Sequence, residues 1–96
     1  MFKITASKGF QMTFENGYTI SVQFGGGNYC SNYSNFELIG RKKEQYILES
    51  ETAEIAIWDH NGSWCTGKFT DEGDGQVAGY LTTNDVFEIM QKVKNA

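Results

Sequence analysis

The chain has no proline, a single histidine and two cysteines, and no apolar run approaches the roughly 18 residues that a membrane-spanning helix needs. Each shortage excludes something. Without proline, glycine and asparagine must make every turn. The opening stretch Met1 to Lys8 carries no apolar secretory core, so the expected location is intracellular, in the cytoplasm, with no membrane partner. Cys30 and Cys65 stand 35 positions apart, and in a reducing compartment they read as free thiols. Together with His60 they lack the paired close spacings of zinc sites. Asp71, Glu72, Asp74 and Gly75 lack the ligand alternation and closing glutamate of a calcium loop. Gly25 to Gly27 are followed by no Gly-Lys-Ser/Thr and no helix, which removes a phosphate cradle. No metal or cofactor is expected.

A basic excess is also missing, and the deficit is local. Residues 1–43 hold five basic side chains against two acidic ones, a net +3. Residues 44–74 hold eight carboxylates against Lys68 alone, a net −7, and the remaining residues balance. Phosphate backbones demand the opposite sign, so direct nucleic-acid binding through the acidic segment is disfavoured. A partner with a basic surface is favoured.

What is present is architecture. Ninety-six residues make one domain, 1–96, able to bury roughly two thirds of its unfolded surface without metal or disulfide help. Seven Phe, five Tyr and two Trp exclude low-hydrophobicity disorder. Two runs place Asn-Gly between alternating stretches, the strongest short-range hairpin signal. In the first, a three-residue loop of Glu15, Asn16 and Gly17 sets Phe14 opposite Tyr18 and keeps Phe10, Met12, Phe14, Tyr18, Ile20, Val22 and Phe24 on one face; a two-residue loop would turn the apolar faces apart. In the second, His60, Asn61 and Gly62 form the loop, Ile57 faces Cys65, Trp58 faces Trp64, and Glu54 faces Lys68.

Phe36 to Ile39 and Tyr46 to Glu49 read as short strands split by Gly40 to Lys43, and Val77 to Leu81 as another. A helix closes the chain. Thr82 is its N-cap with Asp85 three residues on, Leu81 and Val86 match a hydrophobic staple, and Val86, Ile89, Met90 and Val93 recur at i, i+3, i+4, i+7. The expected fold class is therefore α+β: a small antiparallel sheet of about five strands built from two hairpins, with one C-terminal helix packed on it.

Three sets of residues offer function. The loop Gly25 to Asn35 is rich in Gly, Asn, Ser and Tyr, the types that make adaptable protein-binding loops, with Tyr29 and Tyr33 as contact residues; a plain connection is the alternative. Trp58 and Trp64 either stack under the helix as core or, left uncovered, become binding anchors. Glu54, Asp59, Asp71, Glu72 and Asp74 would then surround them with negative charge, where solubility alone is the plainer reading. Cys30 and His60 are ingredients of a thiol hydrolase with Asp59 as orienting acid, but His60 occupies a loop position that suits it for backbone reasons. Arg41, Lys42 and Lys43 facing phosphates would make a nucleotide-signal binder.

The runs Phe14 to Gly25, Asn28 to Asn32 and Ala53 to Asp59, with Gly79 to Thr82 before the helix, resemble small bacteriophage- and prophage-encoded proteins of no established activity. The resemblance spans most of the chain and carries over no residue role. It implies an accessory function in phage infection. Small acidic phage proteins of this size include inhibitors of host defence, CRISPR inhibitors among them, that block a basic nucleic-acid groove. The expected function is thus non-enzymatic: binding and blocking a basic host protein through an acidic and aromatic surface. A homodimer is also expected to be feasible, given an edge strand and an uncovered aromatic face.

Overall fold

A computed structural model describes residues 1–6, 8–34, 49–71 and 73–96. Five antiparallel strands lie in chain order across one sheet: β1 (Phe2–Thr5), β2 (Gly9–Thr13), β3 (Thr19–Gln23), β4 (Ala53–Trp58) and β5 (Ala78–Leu81). Helix α1 (Thr83–Lys94) follows β5 directly and completes an α+β fold. The expected strands at Phe36–Ile39 and Tyr46–Glu49, and the intervening basic run, fall on or run into 35–48, outside the described residues.

The first hairpin has the register that its apolar alternation requires. Phe10 pairs with Val22 and Met12 with Ile20, and the Phe14 N–H donates to the Tyr18 carbonyl at 2.9 Å. Gly17 closes the turn at φ +90°, a conformation that a side chain resists. Any Cβ there would also lie 2.9 Å from the Cβ of His60, so the two hairpin turns abut.

Across β3 and β4 the same face continues through Val22 opposite Ile55 and Ile20 opposite Ile57. These four, with Ala53, Ala78 and Leu81, form the sheet half of the core. Val86, Ile89 and Val93 supply the helix half, three positions of the apolar stripe whose burial contributes about 1.5–3 kcal/mol each. Thr82 and Asp85 cap the helix reciprocally: the Asp85 N–H reaches Thr82 Oγ1 at 3.2 Å and the Thr82 N–H reaches Asp85 Oδ2 at 3.0 Å.

The other helix end is held by a residue distant in sequence. Asn16 Nδ2, in the first hairpin turn, donates to the carbonyl of Val93 at 2.7 Å and to those of Lys94 and Ala96 at 3.2 Å. Its Oδ1 accepts the Tyr18 N–H at 3.1 Å. One amide thus shapes the turn and satisfies carbonyls that a helix terminus leaves without partners.

Two expectations need correction. The second hairpin keeps its register only as far as Cys65, whose N–H donates to the Ile57 carbonyl; the Trp58–Trp64 bridge lies within that stretch. Beyond it, Thr66 Oγ1 takes the Ile57 N–H at 2.9 Å and donates to the Gln76 carbonyl at 2.6 Å, so a side chain replaces the ladder and residues Thr66–Lys68 wind into a 3-10 turn. Glu54 and Lys68 therefore do not pair. Lys68 lies over the Tyr18 ring, 5.8 Å from its centroid, and β4 takes β5 as its neighbour, with Ala53 opposite Leu81 and Ile55 opposite Ala78. The second correction is β1, which the alternation of Phe2 and Ile4 with Lys3 and Thr5 encodes but which sequence reading treated only as a missing signal peptide.

Replacing Asn16 by Ala is expected to lower unfolding free energy by about 1 kcal/mol, because the part-buried Val93 carbonyl and the exposed carbonyls of Lys94 and Ala96 lose a donor. Asn16→Asp should cost more, since a carboxylate donates nothing and faces the negative end of the helix dipole. Urea denaturation followed by circular dichroism measures both. Equal stability of all three proteins would contradict the clamp.

Candidate functional site

The face of the sheet opposite α1 is polar across β2 and β3. Thr13 and Thr19 share a hydroxyl hydrogen bond of 2.8 Å, and Gln23 Nε2 donates to Thr5 Oγ1 at 2.6 Å and Ser21 Oγ at 3.1 Å. On β4 this face carries Glu54, Ala56 and Trp58, because Ile55 and Ile57 take the core side. The indole pair is therefore on the far side from the helix. Trp58 and Trp64 lie with ring centroids 5.9 Å apart and planes tilted by 30°; Trp58 is half-buried and Trp64 is 53% exposed.

The carboxylates near the pair hold backbone as well as charge. Asp59 Oδ1 accepts the N–H groups of Asn61 at 2.9 Å and Ser63 at 3.0 Å, which fixes the turn between the tryptophans. Asp74 Oδ1 accepts from Gln76 and Val77, each at 3.0 Å, and these two N–H groups hold its carboxyl below the usual aspartate value, keeping it charged. The Asp74 loop is tied to the chain just beyond Trp64 through the Gly67 N–H on the Gly75 carbonyl at 3.1 Å and through Thr66 on Gln76. Asp71 is exposed in the same loop, and Glu72 lies outside the described residues.

Tyr29, Tyr33 and Glu54 make a second cluster. Glu54 stands four residues before Trp58, about 13 Å along β4. Its Oε2 accepts the Tyr29 N–H at 2.9 Å. The two tyrosine rings stack at 5.7 Å and 7°, both more than two-fifths exposed. The described part of the glycine-rich loop is firmly tied: Ser31 bonds Thr52, Asn32 Nδ2 donates to the carbonyls of Phe24 and Glu49, and the Tyr80 N–H donates to the Tyr29 carbonyl at 2.8 Å. Tyr80 pays for that contact in backbone strain, with φ at +56°. The proposed contact residues are thus two patches joined by β4.

The residues of a thiol hydrolase are not brought together. Cys30 is buried with its Sγ 3.6 Å from the Gly25 carbonyl, beyond the end of β3, whereas His60 abuts Gly17 before its start. Eight extended residues separate those ends, on the order of 25 Å. Cys65 is no substitute, because burial and the Asp59 carboxylate push its thiol up, away from the thiolate that a nucleophile needs. Both cysteines are free. Among the described residues no three His, Cys, Asp or Glu side chains cluster to hold a metal, and no helix is long and apolar enough to cross a membrane. Arg41, Lys42 and Lys43, on which a nucleotide-binding reading rests, lie outside the described residues.

On the helix side, an open groove of about 820 Å³ runs between α1 and the sheet, lined by Phe10, Val22, Phe24, Leu81, Phe87 and Met90 among others. Phe87 is 60% exposed at this groove, and sequence reading did not single it out: it falls outside the apolar stripe of the helix. No protein-family model, curated protein or solved structure matches the chain.

Acrylamide should quench the emission of Trp64 efficiently and that of Trp58 at least twofold less. Trp64→Phe is the variant that separates them. Equal, weak quenching of both indoles would show that the pair is covered.

Proposed function

We propose that this chain is a non-enzymatic, phage-encoded accessory protein that binds and blocks a basic host protein through the indole pair and its neighbouring carboxylates. The observation that carries the reading is Trp64, more than half exposed and packed at a tilt against Trp58 on the face that the helix leaves uncovered. A large aromatic ring held rigid by a neighbour offers contact area at little entropic cost, and such residues dominate interface energy. The net −7 of residues 44–74 gives this region the sign that a phosphate-binding groove attracts. A host protein that grips nucleic acid, such as an effector of CRISPR defence, presents such a groove, and occupying it blocks the nucleic acid. The resemblance to small phage-encoded proteins supports the same reading. Asp59 and Asp74 contribute twice, since hydrogen bonds from backbone N–H groups fix their positions before any partner arrives.

Capture of a partner from host lysate by immobilised protein tests this. Binding is expected to weaken steeply between about 0.1 and 0.5 M salt, where charge attraction beyond a few ångströms is screened. Trp64→Ala should weaken it by about 2 kcal/mol or more, the loss typical of a hot spot. Salt-indifferent capture that survives Trp64→Ala would contradict the proposal.

A further inference from the structure

The two edges of the sheet are not equivalent. Along the outer side of β5, Ala78 bridges to Gly73 and the Tyr80 N–H is taken by the Tyr29 carbonyl, so the loops on that side close the edge. Along β1 no such contact exists among the described residues, and the strand has no bulge in its register with β2.

The hydrogen-bond alternation shows what this open edge presents. Met1 and Thr13 exchange hydrogen bonds, the Met1 amine to the Thr13 carbonyl at 3.2 Å and the Thr13 N–H to the Met1 carbonyl at 2.9 Å. In an antiparallel pair such exchanges recur at every second position, so Lys3 and Thr5 also turn their backbone groups toward β2, and Phe2 and Ile4 turn theirs outward. The Phe24 N–H on the Lys8 carbonyl at 2.8 Å fits the same alternation on β2, whose even-numbered positions bond β3. Phe2 and Ile4 are also the apolar residues of the strand, 75% and 87% exposed, and they extend the face of Phe10 and Met12 past the reach of the helix. Outward amides and uncovered side chains thus coincide at the same two residues.

We propose that β1 is a dimerisation edge and that its occupant is β1 of a second copy, paired antiparallel about a two-fold axis. An edge strand is self-complementary in that arrangement, because each residue that donates also accepts from its symmetry mate. Charge decides the register. Centring the axis on Lys3 sets two ammonium groups directly opposite one another, which is destabilising. Centring it on Ile4 sets Lys3 opposite Thr5 and joins Ile4 to Ile4 through the outward hydrogen bonds, with Phe2 opposite Ala6 where the strand ends. The sheets then join into one of ten strands, and the four apolar side chains Phe2 and Ile4 of the two copies meet on the helix side. Met1, Phe2 and Ile4 together offer on the order of 400 Å² per copy, about half of a standard interface. That area suits a reversible dimer.

Sedimentation equilibrium of the full chain over a range of concentrations tests the inference. The mass is expected to rise with concentration toward twice the 10.8 kDa of one chain. Ile4→Lys sets like charges at the axis and is expected to raise the dissociation constant at least tenfold. Ile4→Pro deletes only an outward-facing N–H, leaving the β1–β2 ladder intact, and should have the same effect with an unchanged circular dichroism spectrum. A monomer at every concentration would overturn the proposal and leave the edge to some other protein. A dimer indifferent to both substitutions would overturn it equally, by placing the contact on another face.

Discussion

One helix can cover only one face of a five-stranded sheet, and the surfaces of this molecule follow from the face that it covers. Val86, Ile89 and Val93 join Ile20, Ile55, Ile57, Ala78 and Leu81 in one buried cluster because those are the apolar positions that β3, β4 and β5 turn to one face. The capping box fixes the start of the helix, and Asn16 fixes its end at the far corner of the sheet. A helix held at both ends cannot rotate its stripe toward the polar face. The indoles on that face must therefore cover each other.

The division explains why charge and aromatic area coexist around β4. Carboxylates beside a hydrophobic pair cost free energy when buried, yet here Asp59 and Asp74 sit in turns whose N–H groups hydrogen-bond their carboxylates, and those on Asp74 hold it in the charged form. Their negative potential is therefore built into the backbone. On the opposite face the imbalance is apolar: the helix spans the β4 and β5 side, and Phe2, Ile4 and Phe87 stay in contact with solvent. Phe2 and Ile4 lie on one face of β1, and exposed apolar surface of this kind marks places where other macromolecules bind.

Much of the fold was legible because the strongest signals were local. The Asn-Gly turn with one apolar face admitted a single register for Phe10 to Phe24, and Thr82 with Asp85 marked the helix start. The departures came from contacts between residues far apart in the chain. Nothing near Thr66 announces that its hydroxyl takes the Ile57 N–H, and that one bond ends the second hairpin and separates Glu54 from Lys68. Asn16 read as a turn residue; that it also clamps the helix required knowing where Val93 ends up. For the candidate surface, the pairing of Trp58 with Trp64 was readable from hairpin register, whereas its exposure depended on which face the helix chose. The separation of Tyr29 and Tyr33 from the indoles was likewise set by Glu54, which anchors their loop at the other end of β4.

The placement of the helix is best tested by methyl and aromatic contacts in solution. Nuclear Overhauser effects are expected between the methyl groups of Val86, Ile89 and Val93 and those of Ile20, Ile55 and Ile57, with none from the helix methyls to the indole protons of Trp58 or Trp64. Strong helix-to-indole effects would mean that the tryptophans line the core, and the account of both faces would fail.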